Sequence, residues 1–283
     1  MATPVLSHYQ AEPLLAARQA GEQTAQCSLD LGLSTVEVEL TADGVHFGAS
    51  FALSWDWLQS IASDENACFR LTAEGIEKIK TFSGTTNRPI SLFPTPAAPT
   101  MLIAGLPMHR IKDTTPDRDT EAKIQAMKPI RGEILDTSTG LGYTAILAAE
   151  TADHVVTIEL DPAVLEIARL NPWSQELFTR RNIQQLVGDS FDVIEELETG
   201  LFSGILHDPP TMSLAGHLYS ADFYAELYRV LKPNGRLFHY IGDPESKSGR
   251  RTTASVIQRL EQAGFSAIRR QPRAFGVTAH KSS

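Results

Sequence analysis

Cysteine is nearly absent from this chain: Cys27 and Cys68 are the 2 in 283 residues. They do not have metal-ligand spacing and are too few to staple a fold. A disulfide framework and a cysteine-ligated metal are therefore excluded, and reduced thiols in a cytoplasm are expected. Long hydrophobic runs are missing too. No apolar stretch approaches the ~20 residues that span a bilayer, and no basic-then-apolar leader opens the sequence. The expectation is a soluble cytoplasmic protein without a membrane partner. Positive charge is in deficit, with a formal net charge of −9. That argues against a broad duplex footprint, which rests on basic surface, and leaves room only for a local basic patch. What remains, 42% hydrophobic and 21% charged residues, suits a globular chain with a real core and length for one large or two ordinary domains.

The stretch that organises the chain runs from Glu133 to Thr144 (Glu-Ile-Leu-Asp-Thr-Ser-Thr-Gly-Leu-Gly-Tyr-Thr). A short apolar strand ends on Asp136, turns through a loop with Gly140 and Gly142, and enters an Ala-rich helix. Glycine permits the tight turn and the close approach of a ligand, and the helix start behind it offers free N–H groups. A second strand, His154 to Glu159, again carries an acid at its carboxyl end. Its position relative to the glycines is that of an acid gripping ribose hydroxyls at the edge of an open α/β sheet. The loop does not read G-x-G-x-x-G, and no Lys-Ser/Thr pair follows to hold a phosphate, so the nucleoside expected here carries no pyrophosphate.

Ahead of this region lies a β-rich module of about 110 residues, taken as 1–112. Leu14 to Ala17 suggest one short helix, Val36–Leu40 and Val45–Phe47 a hairpin around a turn ending Asp43-Gly44, and Trp55 and Trp57 a helical core segment. Further strands are expected at 69–71, 76–82, 89–93 and 100–104. No motif in this module carries identifiable chemistry; packing, a homodimer interface and substrate recognition all suit it. His109, Arg110 and Lys112 are read either as site-lining residues or as solvated linker. Thr115-Pro116 opens a helix toward Lys128, with the hydroxyl as cap and Asp117, Asp119 and Glu121 at its positive end.

In the second domain, taken as 113–283, strand and helix alternate from Ile130 onward, which implies parallel strands with right-handed crossovers. Strands are expected near 133–137, 154–159, 183–187, 202–207 and 235–241. Helices are expected near 142–151, 162–170, 190–198, 220–231 and 251–263. A hairpin at 266–270 and 275–279 closes the sheet, with the last strand inserted beside the fifth. Residues 245–251, with Lys247, Arg250 and Arg251, read as a mobile polar loop, or alternatively as a lid or phosphate contact.

Asp136-x-x-x-Gly140-x-Gly142, Glu159 and Gly188-Asp189 resemble class I S-adenosylmethionine-dependent methyltransferases. The resemblance implies a doubly wound, mostly parallel seven-stranded Rossmann-like sheet with an antiparallel terminal hairpin, and S-adenosyl-L-methionine as cofactor (S-adenosylhomocysteine as product). It assigns Asp136 and the backbone of Ser138, Gly140 and Gly142 to the methionine end, Glu159 to the ribose, Leu160 to the adenine face, and Asp189 with Ser190 to the adenine amine. Asp189 reads equally as a helix cap, and Asn171-Pro172-Trp173 either shelters the adenine or packs in the core. Ile205 to Thr211 contain His207-Asp208-Pro209-Pro210, similar to the Asp/Asn-Pro-Pro-aromatic motif of amino methyltransferases. Thr211 replaces the aromatic residue, which weakens the case for a stacked, flipped base.

The series Asp208-Pro209-Pro210, Leu218-Tyr219, Phe223-Tyr224 and Leu231-Lys232-Pro233-Asn234-Gly235 resembles spermidine synthases. Their Gly-Gly-Gly-Asp-Gly-Gly loop is replaced here by the Asp136–Gly142 loop. Together these features resemble a group of spermidine-synthase-like methyltransferases, mostly archaeal. Asp208 is the expected proton acceptor and a contact for the cofactor, and His207, Tyr219, His239 and Tyr240 are read as facing either the substrate or the core. The expected activity is methyl transfer to nitrogen on a small molecule or RNA base. Aminopropyl transfer from decarboxylated S-adenosylmethionine and a non-catalytic cofactor-binding role are the alternatives. No metal is expected.

Overall fold

The structure is a computed structural model describing residues 3–47, 51–212 and 214–283. It divides into two compact units, one made of residues 1–117 with 163–175 and the other of 118–162 with 176–283.

The first unit is β-rich. Three small antiparallel sheets hold it together, and the helices His8–Gln19 and Trp55–Ala62 cover a core that includes Leu6, Leu14, Val38, Val45, Leu53, Leu58, Ile61 and Leu71. The hairpin is present as Val36–Leu40 against Gly44–Phe47, with Leu40 opposite Val45. Trp55 lies in the core and Trp57 packs at its margin. The strand expected at 76–82 is two strands. Gly75–Lys78 and Lys80–Ser83 belong to different sheets, and the buried Ile79 between them bonds to Cys68 and Leu92. Local alternation cannot register such a change of partner, because it continues through the join. Both cysteines are buried and unpaired.

The second unit is built on one seven-stranded sheet. Its strands are β1 (Glu133–Asp136), β2 (His154–Glu159), β3 (Ile183–Val187), β4 (Phe202–His207), β5 (Leu231–Tyr240), β6 (Ser266–Gln271) and β7 (Gly276–His280). Their order is β3-β2-β1-β4-β5-β7-β6, with β1 to β5 pairing in parallel and β7 antiparallel to both neighbours, so the sheet is mixed. The last strand inserts beside the fifth, as the sequence leads one to expect. Val155 to Ile158 are all buried, the near-continuous burial of a strand covered on both faces.

The helices of this region include α1 (Pro116–Met127), α2 (Tyr143–Ala148), α3 (Pro162–Leu170), α4 (Ser190–Val193), α5 (Ala221–Val230) and α6 (Lys247–Gln262), with a short helix at Gln175–Thr179. Two expectations change here. The Thr115 hydroxyl makes no hydrogen bond among the described residues, so the opening of α1 rests on Pro116 rather than on a side-chain cap. Residues 247–251 are not a loop. They form the first turn of α6, capped by Ser246, whose Oγ accepts from the Gly249 N–H at 2.9 Å.

Candidate active site

Register places the polar residues of the sheet's carboxyl edge. β1 has β2 on one side and β4 on the other, so the strand order reverses there, and open α/β sheets bind ligands at that reversal. Asp136 pairs with Thr157 and Leu206, Glu159 with Val187, and His207 with His239.

Asp136 is fully buried. Its Oδ2 accepts from the Thr144 and Thr157 hydroxyls, each at 3.1 Å, and its Oδ1 from the Ser138 N–H at 3.4 Å. Burial raises its carboxyl to about 7 against these donors, with Asp208 adding repulsion. The side chain therefore shapes the loop from beneath rather than presenting an open carboxylate.

Glu159 stands at the tip of β2, where its Oε2 accepts from Gly140 N–H (2.9 Å) and its Oε1 from Asp161 N–H (3.0 Å). Desolvation is the main cause that raises its carboxyl to about 7; Asp161 adds to it and the backbone donors oppose it. Beside it two large apolar side chains are left out of the core: Leu160 is 43% exposed and Val187 57%.

Gly140 has φ +53°, and a Cβ there would meet nothing within 4 Å. Gly142 has φ +79°, and a Cβ there would lie 2.7 Å from Leu177. One glycine leaves space open above the loop; the other permits close packing below it.

An open glycine, a carboxylate at the strand tip and two apolar surfaces fit a nucleoside without pyrophosphate. Glu159 has acceptor oxygens for a ribose, and Leu160 and Val187 offer a face for a base. Asp189 caps α4 by accepting from Phe191 N–H at 2.9 Å, and it also meets His217 Nε2 at 3.0 Å. Ser190 does not face outward. It is buried, and its Oγ donates to the Thr137 carbonyl at 2.6 Å. Trp173 Nε1–H donates to Leu31 O at 3.1 Å within the first unit, which supports the packing reading of this residue. His109 in that unit is tied to Thr100 Oγ1 at 3.0 Å.

Asp208, His207, Tyr219 and His239 are the candidates for the chemistry, and the last three are core residues. His207 is fully buried. Its Nε2–H donates to Leu218 O (3.0 Å), and its Nδ1 accepts from Thr137 Oγ1 (2.7 Å); desolvation pushes its pKa down to about 3. His239 is buried against it, with ring centroids 4.3 Å apart, and its Nε2 pairs with the Tyr224 hydroxyl at 2.9 Å. Tyr219 is buried, and its hydroxyl donates to Pro210 O at 3.1 Å. These residues brace the Asp-Pro-Pro turn from behind, and a neutral, sealed imidazole transfers no proton to a ligand.

Asp208 is different. Its side chain keeps partial exposure, yet its Oδ2 is taken by Lys123 Nζ at 2.6 Å. Oδ1 makes no hydrogen bond among the described residues. Lys123 also pairs with Asp119 at 2.9 Å one turn back on α1, and lies 4.6 Å from the centroid of the Tyr240 ring. Burial raises the Asp208 carboxyl, and Lys123 opposes that rise. Burial alone would push the Lys123 ammonium down, but the Asp208 and Asp119 carboxylates outweigh it and keep the amine protonated. The turn's acceptors are thus less free than the two prolines imply. Lys123 is the site residue that motif reading misses, and its only local signal is the i, i+4 spacing from Asp119. Asp119 faces this lysine rather than the helix N-terminus.

Residues 135–239 match the family described as Methyltransferase domain. The uncharacterized protein MJ1233 of Methanocaldococcus jannaschii is 45% identical over 231 residues, covering 81% of this chain and 78% of that one. Polyamine aminopropyltransferase 1 of Streptomyces coelicolor is 31% identical over 138 residues, which is 47% of this chain and 25% of its own length. The crystal structure of spermidine synthase from Thermotoga maritima superposes with a TM-score of 0.56 at 18% identity, over 76% of this chain and 78% of that chain, a likeness of fold. Residues 135–239 thus carry a match to a methyltransferase domain, set in a seven-stranded mixed sheet whose fold is like that of spermidine synthase. The chain belongs to the family of the Methanocaldococcus jannaschii protein MJ1233.

Among the described residues no helix is long and apolar enough to cross a membrane, and no group of three or more His, Cys, Asp or Glu could hold a metal ion.

Proposed function

We propose that this protein is an S-adenosylmethionine-dependent methyltransferase acting on a nitrogen of a small molecule or an RNA base. The observation that carries the reading is the strand-tip arrangement: Glu159 bonded to Gly140 N–H, open space above that glycine, and exposed Leu160 and Val187 alongside. When bound, the cofactor supplies an electrophilic methyl group on a sulfonium. The chain's own part is positional. Glu159 holds the ribose, Asp136 fixes the loop through Thr144, Thr157 and Ser138, and Leu160 and Val187 exclude water from the base. Asp208 is held in place through Oδ2 and offers Oδ1 to the acceptor's N–H, taking the proton that the nitrogen loses.

Aminopropyl transfer is the second reading, favoured by the 31% identity to polyamine aminopropyltransferase 1 over 138 residues. The two cofactors differ by a carboxylate, so calorimetric titration with S-adenosylmethionine, S-adenosylhomocysteine and decarboxylated S-adenosylmethionine separates them. Tighter binding of the first two is expected. Tighter binding of the decarboxylated form reverses the assignment, and no affinity for any of the three removes it.

A further inference from the structure

The cluster beside Asp208 has the composition of a receptor for an alkylammonium ion. Two carboxylates, Asp208 and Asp119, and one aromatic face, Tyr240, surround a single ammonium group at 2.6, 2.9 and 4.6 Å. Carboxylates bind such a cation by charge-assisted hydrogen bonds, and a ring face attracts it through its quadrupole. In this chain the cation is not a ligand. It is Lys123, only 2% exposed, carried on α1 one turn beyond Asp119. A tethered ammonium forgoes the translational freedom that a dissolved one loses on binding, so it outcompetes any free amine for the same groups.

We propose that Lys123 fills, from within the chain, the subsite at the carboxyl end of β4 where a cationic acceptor would dock. The acceptor nitrogen of this protein therefore belongs to an uncharged group, and α,ω-diamines and polyamines are not its substrates. This rests on reading Asp208 as the acceptor-side residue of the transfer site. Only Oδ1 of Asp208 is left for a ligand. A second ammonium bonded there would sit within a carboxylate's width of the Lys123 ammonium, which repels it and already offsets the charge of the Asp208 carboxylate that would attract it. An amide, a ring nitrogen or an exocyclic amine of a base meets no such repulsion.

The test is binding rather than turnover, so it needs no known acceptor. Wild-type protein is titrated calorimetrically with 1,4-diaminobutane at about 0.15 M salt, where loose attraction to an acidic surface is screened. The same titration is run on Lys123→Ala, which opens a space lined by the two carboxylates and the ring. The expected result is no saturable binding to wild type. In the variant, saturable binding should appear with a rise of several degrees in the thermal midpoint, and Asp119→Asn in the variant background should cancel both. Saturable diamine binding to wild type that Asp208→Asn abolishes overturns the proposal, as does a folded Lys123→Ala protein that gains nothing. If Lys123→Ala does not fold, the wild-type titration with its Asp208→Asn control decides alone. Failure here is distinct from failure of the methyltransferase reading, which would appear as absence of affinity for the sulfonium nucleoside.

Discussion

The ribose-binding role proposed for Glu159 makes ligand affinity depend on pH. A ribose needs an acceptor, so the ionised carboxylate is the binding form, and in the ligand-free protein burial raises its carboxyl to about 7. Affinity for S-adenosylhomocysteine should therefore climb as pH rises through about 7. Glu159→Gln should lose both the climb and roughly tenfold or more of the affinity, since each hydrogen bond to a charged group contributes about 1.5–3 kcal/mol. Calorimetry at several pH values reads both effects. Asp136 gives a stability prediction of the same sign. Its folded pKa is raised from 3.8 to about 7, so the native state binds the extra proton. That contribution is fully present below about pH 4 and lost as pH rises through about 7. The thermal midpoint of ligand-free protein should fall over this window, and Asp136→Asn should flatten the fall. Lys123→Met should destabilise by about 3–5 kcal/mol, because it leaves the Asp208 carboxylate beside an uncharged stem. Chemical denaturation measures that loss, which should shrink at acidic pH as Asp208 protonates.

At the scale of elements, the two loop glycines separate stability from binding. Gly142→Ala meets Leu177 as well as an unfavourable φ, and should cost about 2 kcal/mol or more in unfolding free energy. Gly140→Ala carries only the conformational cost, about 1 kcal/mol, yet places a methyl group in the open space above the loop and should abolish nucleoside binding. Parallel thermal unfolding and calorimetry of the two variants check the contrast; equal binding losses at equal stability would refute it. The regular elements of the second unit were legible because their cues are local. His154 to Glu159 read as a buried strand, and Ser266–Gln271 with Gly276–His280 as a hairpin, from periodicity and turn residues alone. The start of α6 was not, because Lys247 to Arg251 are polar all round and only the Ser246 cap marks the helix.

For the whole molecule, the compact unit containing residues 1–117 also holds 163–175, with Trp173 bonded to Leu31. A fragment cut between 112 and 113 would deprive that segment of its packing partners, so 113–283 should unfold at a lower temperature than the full chain, as circular dichroism would show. Self-association through the first unit is the role we propose for it, and sedimentation of the full chain tests this. The site itself was half legible. Glu159, Gly140 and Gly142 stood out because a tight turn between a strand tip and a helix imposes residue type and spacing along the chain. The state of His207, Tyr219 and His239 did not, since a polar residue at a strand end looks the same in sequence whether it faces ligand or core.

The sequence alone determined the strand–helix alternation, the two strand-tip acids and the glycine turn, because each depends on residues close together along the chain. Tertiary structure decided which polar groups remain available. Thr137 and Leu218 close over His207, Tyr224 over His239, and Lys123 reaches Asp208 from a helix 85 positions earlier. Burial and charge pairing are set by neighbours in space, and no local pattern encodes them.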